Sequence, residues 1–240
     1  MESTGNKNMV LVMGPPAAGK SSSLMGLNQE RYVYLNCDLK EIPFADNFAA
    51  KVDVTDPYDI FDYIQEIEEN DDIDGVILDT ITFLMDMVET QYVVTAKDTR
   101  AAWGSYAKYY KDLLHAIKSG TKDYIILAHE AIEHNEELSI NESKVPVKGA
   151  VGRTGVEADF TTIVSCRALP IRVVKSVEND LLNITEDEEE DGTKHVFVTR
   201  VHKNHAGGKQ RSPIGLWDRS ELYIDNNVNN VLTRIKQFYA

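Results

Sequence analysis

An α/β chain with a mainly parallel sheet, helices on both faces and a C-terminal antiparallel β-hairpin extension is the fold class predicted, and three observations predict it. Short apolar runs at 9–13, 32–37, 75–78 and 124–128 alternate with helical patterns through the first half. Past residue 161 the pattern turns to alternating or apolar runs without helices between them. Between the first run and the first helix stands Gly14-Pro15-Pro16-Ala17-Ala18-Gly19-Lys20-Ser21, a G-x-x-x-x-G-K-S stretch.

A strand that ends in a glycine-containing loop and runs into a helix turns several backbone N–H groups toward one spot, where the helix dipole adds partial positive charge. That spot suits a triphosphate. Gly14, Pro15, Pro16, Ala17, Ala18, Gly19, Lys20, Ser21 and Ser22 are the expected nucleotide site. Lys20 reaches the β- and γ-phosphates as a point charge, and the Ser21 hydroxyl enters a Mg²⁺ shell otherwise made of phosphate oxygens and water.

The elements follow in order. Residues 1–8 are polar and read as a flexible tail, and 21–27 as the helix opening at the phosphate site. The β-rich run 32–37 breaks into Asp38, Leu39, Lys40 and Glu41, so the second strand ends in acids. Asp56 and Pro57 suit a helix start, and Ile60, Phe61, Ile64 and Ile67 then recur at helical spacing. The strand 75–78 ends at Asp79, which suits a carboxylate holding Mg²⁺ through water. Residues 80–119 read as helical with a break at 95–100, and the strand 124–128 ends at His129. Segment 131–158 is polar, has no sustained period and reads as a long mobile loop. Runs at 161–166, 171–177, 182–184 and 195–201 read as strands, with acidic 185–192 as an exposed hairpin turn. Val228, Val231, Leu232, Ile235 and Phe238 share one face of a closing helix.

The whole, 240 residues, reads as one domain. Absence of a membrane-length apolar run and of a leader at the start predicts a soluble, cytoplasmic protein with no membrane partner. Cys37 and Cys166 lie in apolar runs, as small buried hydrophobes do, and no zinc spacing exists. A net charge of −14 argues against coating nucleic acid by charge alone, so any such contact falls to local basic patches.

Taken together, GPPAAGKS, VILDT, ILAHE, VPVKGAVGRTGVEADF and FVTRVHKNHAGGKQRSPIGLWDRSELYIDN resemble the short phage RecA-like P-loop ATPases of the single-strand annealing and recombination type. The resemblance spans residues 10–226. It implies a RecA-like core in which the strand ending at His129 lies between those carrying Lys20 and Asp79. His129 then faces the γ-phosphate, the alternative being an ordinary core hydrogen bond. It also implies an acid just past the second strand that polarises the attacking water. Asp38 matches, with Glu41 as runner-up, though the family more often has glutamate; turn residues are the bland alternative.

The basic run 201–211 resembles the hairpins that reach a neighbouring subunit's ATP, with Lys203, then Lys209 or Arg211, as the trans cation; a solvated turn is the alternative. ATP and Mg²⁺ are the implied cofactors. A homo-oligomer with ATP at its subunit interfaces, single-stranded DNA and a single-strand DNA-binding protein are the implied partners, in the host cytoplasm if the chain is phage-encoded. Lys144, Lys148 and Arg153 in the long loop, with Lys97 and Arg100, are candidate DNA contacts, opposed by Glu133, Glu136, Glu137 and Glu142. Two other functions compete: a P-loop kinase for a nucleotide or small metabolite, and a nucleotide-gated assembly module with little turnover.

Overall fold

Apolar runs without polar alternation become strands buried on both faces, which a parallel sheet covered by helices requires. The computed structural model describes residues 5–137, 139–205 and 207–240. Its strands are β1 (Met9–Gly14), β2 (Tyr32–Asn36), β3 (Ala50–Asp53), β4 (Gly75–Asp79), β5 (Asp123–His129), β6 (Ala131–Asn135), β7 (Ile140–Lys144), β8 (Thr162–Pro170), β9 (Thr193–Val198) and β10 (Tyr223–Asp225). Eight form one sheet in the order β10-β9-β8-β1-β5-β4-β2-β3, while β6 and β7 pair as a separate hairpin. From β3 to β8 all pairings are parallel, and β9 and β10 add antiparallel strands. As expected, β5 lies between β1 and β4.

Successive side chains of one strand point to opposite faces, so each central strand supplies two cores. Leu11, Met13, Val76, Leu78, Ile126 and Ala128 face the helices α1 (Asp59–Glu68), α2 (Ile81–Val88) and α3 (Thr99–Ser119). Val10, Val12, Ile77, Ile125 and Leu127 face the opposite layer. A 3₁₀ helix, Ser21–Gly26, and the last helix Val228–Tyr239 cover that layer, the latter through Val228, Val231, Leu232 and Ile235; Phe238 stays exposed. At about 1.5–3 kcal/mol for each fully buried aliphatic side chain, these two layers are the main stabilising term. Cys37 and Cys166 are buried free thiols.

Several sequence expectations are corrected. Residues 1–4 of the expected tail lie outside the described residues, and Asn6 is already tied down by bonds to the Lys118 and Lys122 carbonyls. Edge strand β3, three of whose residues are exposed, has no apolar run to announce it. The expected loop 131–158 holds β6, β7 and a short helix α4 (Gly149–Thr154), with Leu138 outside the described residues. Its strands show no alternating apolar face: Ile132 is exposed, and Ser143 is the one buried residue of the two strands.

Residues 171–177 hold a one-turn helix, α5 (Ile171–Val174), and 182–184 hold no strand. The acidic stretch is a helix, α6 (Glu186–Asp191), rather than a hairpin turn. Thr185 and Glu188 make a capping box, the acids of the first turn oppose the positive helix end, and Gly192 closes the helix with φ +71°. The last helix, Val228–Tyr239, is therefore α7. Among the described residues of 201–211 no hairpin forms: a 3₁₀ turn, Lys203–His205, precedes an isolated antiparallel bridge between Arg211 and Ile163, and Ala206 lies outside the described residues. Among the described residues no helix is long and apolar enough to cross a membrane.

Candidate functional site

The carboxyl ends of β1, β2, β4 and β5 converge on one cavity of about 330 Å³. Open parallel sheets place ligands there because strand-end loops, and not the sheet itself, carry free polar groups. Its lining takes Pro16, Ala17, Gly19, Lys20, Ser21 and Ser22 from the loop, Asp38 and Lys40 from the end of β2, Asp79 and Thr80 from β4, His129 from β5 and His195 from β9.

The loop reverses sharply, with Ala17 at φ +60° and Gly19 at φ +95°. A side chain at Gly14 would crowd Cys166, its Cβ falling 3.0 Å from the thiol's Cβ, which explains glycine where β1 meets β8. Ala18 packs into the core. The following helix is a six-residue 3₁₀ segment, so its dipole is weaker than a longer α-helix would supply, and the loop's own donors and Lys20 carry more of the positive charge.

Lys20 is buried, and its Nζ donates to the Gly14 carbonyl at 3.0 Å and the Pro15 carbonyl at 3.1 Å. Burial holds its ammonium below the usual lysine range. Ser21 Oγ donates to Asp79 Oδ2 at 3.0 Å, and Tyr34 OH to the same oxygen at 2.7 Å. Burial pushes the Asp79 carboxyl up, against the pull of these two donors. Among the described residues no group of three or more His, Cys, Asp or Glu could hold a metal. The Ser21 and Asp79 oxygens nevertheless fit Mg²⁺, a hard ion that keeps several waters and takes the rest of its shell from phosphates.

Asp38 stands at the cavity rim with a side chain 13% exposed. Its Oδ1 accepts the Lys40 backbone N–H at 3.1 Å, and its Oδ2 lies 3.4 Å from Lys40 Nζ. The Glu41 side chain is 94% exposed, pairs with Lys51 at 3.5 Å and does not line the cavity. His129 enters from β5, its backbone N–H bonded to Thr82 Oγ1 at 3.0 Å and its ring edge-on to Phe83. Burial, with the Lys20 and Lys40 cations, pushes the imidazole below its usual range. Its Nε2 is buried with no hydrogen-bond partner among the described residues.

Lys203 and Arg211 do not line their own chain's cavity. Lys203 is exposed in the turn after β9, and one Arg211 nitrogen lies 3.5 Å from the Phe160 carbonyl.

Three residues of the site were not legible as such. Lys40 follows Asp38 by two positions and shares its strand end, which is the only signal it offers. His195 approaches the loop because β9 runs antiparallel and begins at the sheet's carboxyl end; its Nε2 lies 3.3 Å from the Ala17 carbonyl. Asn226, just past β10, donates to the Gly19 carbonyl at 2.7 Å.

Behind His129 a second polar cluster joins β5 to the hairpin. Arg167 forks onto Glu130, at 2.7 and 2.6 Å, and Ser143 of β7 donates to the same carboxylate. Beside the hairpin lies a cavity of about 590 Å³, lined in part by Lys144, Arg153 and Lys209 with Glu133, Glu142 and Glu157. Lys144 pairs with Glu133, Lys209 with Glu142 and Lys148 with Glu89. Among the described residues none pairs with the exposed Arg153 guanidinium.

Comparison with known proteins gives a family and a distant structural likeness. Residues 6–211 match the family described as the AAA domain. None of the curated proteins matches the chain. Among solved structures the chain is similar to a KaiC-like protein from the hyperthermophilic archaeon Pyrococcus horikoshii OT3, at 13% identity and a TM-score of 0.45, over 82% of this chain and 80% of that one.

Proposed function

The chain belongs to the AAA domain family of P-loop ATPases, and we propose that it hydrolyses ATP in the cavity at the end of β1 while acting on single-stranded DNA in annealing or recombination. One observation carries the ATP reading: Ser21 and Asp79, 58 positions apart, share a hydrogen bond in the cavity that also holds Lys20, Asp38 and His129. Ser21 would hold Mg²⁺ directly and Asp79 through water, and the ion would supply charge neutralisation on the phosphates. Lys20 orients the β- and γ-phosphates, Asp38 accepts a proton from the attacking water, and the unpartnered His129 Nε2 meets the γ-phosphate.

The DNA half of the reading is supported by position and charge. The β6–β7 hairpin begins two residues after His129, and the intervening Glu130 ties the two through Ser143 and Arg167. Arg153 is the cation best placed to meet a backbone phosphate, since Lys144, Lys148 and Lys209 must first leave carboxylates. On this reading affinity for single strands falls steeply with salt, with a slope of about −0.7 for each phosphate neutralised. Reversing Arg153 and Lys144 together to glutamate is expected to weaken single-strand binding by about tenfold or more and to remove the DNA-stimulated increment of hydrolysis. Unchanged binding in a folded double variant takes the hairpin out of the DNA site.

Assembly enters through Lys203 and Arg211, which reach a γ-phosphate from a neighbouring copy or not at all. Lys203→Ala is expected to bind ATP but hydrolyse it poorly, and mixing it with Lys20→Ala to recover activity, because mixed interfaces pair an intact loop with an intact Lys203. A mixture as inactive as its parts, with co-assembly demonstrated, removes Lys203 from the reaction. The test of the whole reading is the ATPase rate against added single-stranded DNA, with particle size followed in the same sample. A kinase for a small substrate would ignore the DNA, and an assembly module would bind ATP with little turnover.

A further inference from the structure

The cavity's own charges cancel: Lys20 and Lys40 stand against Asp38 and Asp79. A magnesium triphosphate is net negative, and during transfer its charge shifts toward the leaving oxygen. Lys20 is already committed, buried and bonded to two loop carbonyls. Lys40 is not.

Its backbone is held while its head rests in one exposed ion pair. Asn36 spans the turn, donating to the Lys40 carbonyl at 3.2 Å and accepting from the Leu39 N–H at 3.1 Å, and is itself held by Asp53 at 2.7 Å. Leu39 takes φ +57°, a left-handed conformation that favours glycine and that these bonds sustain. Beyond this fixed backbone the Lys40 side chain is 69% exposed. Its Nζ rests 3.4 Å from Asp38 and 5.3 Å from the Phe83 ring centroid. A lysine head on a flexible stem above a phosphate site moves at little cost from a half-exposed ion pair to a more strongly charged partner.

We propose that Lys40 acts in cis as a catalytic cation, leaving Asp38 for the γ-phosphate when ATP binds and so freeing the Asp38 carboxylate for the attacking water. The proposal rests on the cavity being the ATP site. In the step itself the water oxygen forms a bond to the γ-phosphorus as the bond from that phosphorus to the β–γ bridging oxygen breaks. The electron pair leaves with ADP, and one water proton passes to Asp38. Lys40 stays protonated throughout and only donates hydrogen bonds to the phosphoryl oxygens.

The experiment compares Lys40→Ala, Lys40→Arg and Lys20→Ala with the unaltered chain, by ATPase rate, ADP affinity and trapping of ADP with aluminium fluoride. Lys40→Ala is expected to bind ADP within about twofold of the unaltered chain, to lose about 10²–10³-fold in rate and to lose the aluminium fluoride trap. Lys40→Arg, which keeps the charge and the donors, should recover most of the rate. Mixing Lys40→Ala with Lys20→Ala should recover nothing, because a cis role leaves every site with one defect or the other and no site with both residues intact.

A Lys40→Ala rate equal to that of the unaltered chain overturns the proposal, and recovery in that mixture overturns the cis assignment. Failure of the unaltered chain to bind or hydrolyse ATP overturns the reading of the cavity itself, and is distinguished by Lys20→Ala then differing from it in nothing. The exposed position of Lys40 keeps misfolding out of the comparison, and ADP binding by the variant verifies it.

Discussion

Replacing Lys20 by alanine will reduce nucleotide turnover by about a thousandfold or more and leave the chain folded. The first half follows from where the ammonium sits: it is the buried cation of the loop, 3.0 and 3.1 Å from two loop carbonyls at the spot where phosphate oxygens would be met. Charge placed in advance at a site that excludes water counts for more than the same charge in solution, because it needs no reorganisation when phosphate charge moves. The second half follows from the direction of its pKa. Burial disfavours the charged form of Lys20, so the folded chain holds this cation at a cost to its own stability. Alanine removes that cost, and the thermal unfolding midpoint should stay level or rise. Full turnover in a folded Lys20→Ala chain would remove the phosphate-loop assignment, whereas a collapsed midpoint would show that the lysine is structural.

That loop was legible because its spacing is set by chemistry and its flanks by hydrophobic pattern. The strand ends at Asp79 and His129 were legible for a similar reason: an apolar run that stops at a polar residue marks where a buried strand meets solvent or ligand. What stayed hidden depends on contacts between distant segments. His195 and Asn226 reach the loop only because β9 runs antiparallel beside β8 and β10 turns back antiparallel beside β9, and nothing local in 193–198 or 223–226 records that. The β6–β7 hairpin reads as a loop in the sequence because its strands, with Ile132 and Ile140 isolated among polar residues, lack the period-2 apolar signal. The acidic helix was a different kind of miss. Its capping box and closing glycine stand in the sequence at Thr185, Glu188 and Gly192, yet an acidic stretch between two strand-like runs reads as an exposed hairpin turn, and its like charges repel one another. Helix-end chemistry outweighs that repulsion here, with Lys194 answering Glu188 at 2.8 Å.

Exchanging Asp38 for asparagine should leave nucleotide binding intact, or tighter, and cost about 10²–10⁴-fold in hydrolysis. Asparagine is nearly isosteric, and its amide oxygen can still accept the Lys40 backbone N–H that Asp38 Oδ1 accepts at 3.1 Å, so the turn after β2 keeps its shape. What is lost is the negative charge, and with it both the capacity to take a proton from water and the hold on Lys40 Nζ. Freed from that ion pair, Lys40 no longer has to choose between carboxylate and phosphate, so KM should fall severalfold as kcat falls. A residue that merely shaped the turn would not produce that opposite movement. Glu41→Gln is the matched control: its carboxylate is 94% exposed, points to Lys51 and lies outside the cavity, so its rate should stay within about twofold of the unaltered chain. If Glu41→Gln abolishes hydrolysis while Asp38→Asn preserves it, the base is Glu41, the turn must rearrange on binding nucleotide, and the ion pair between Asp38 and Lys40 is a surface contact with no part in the reaction.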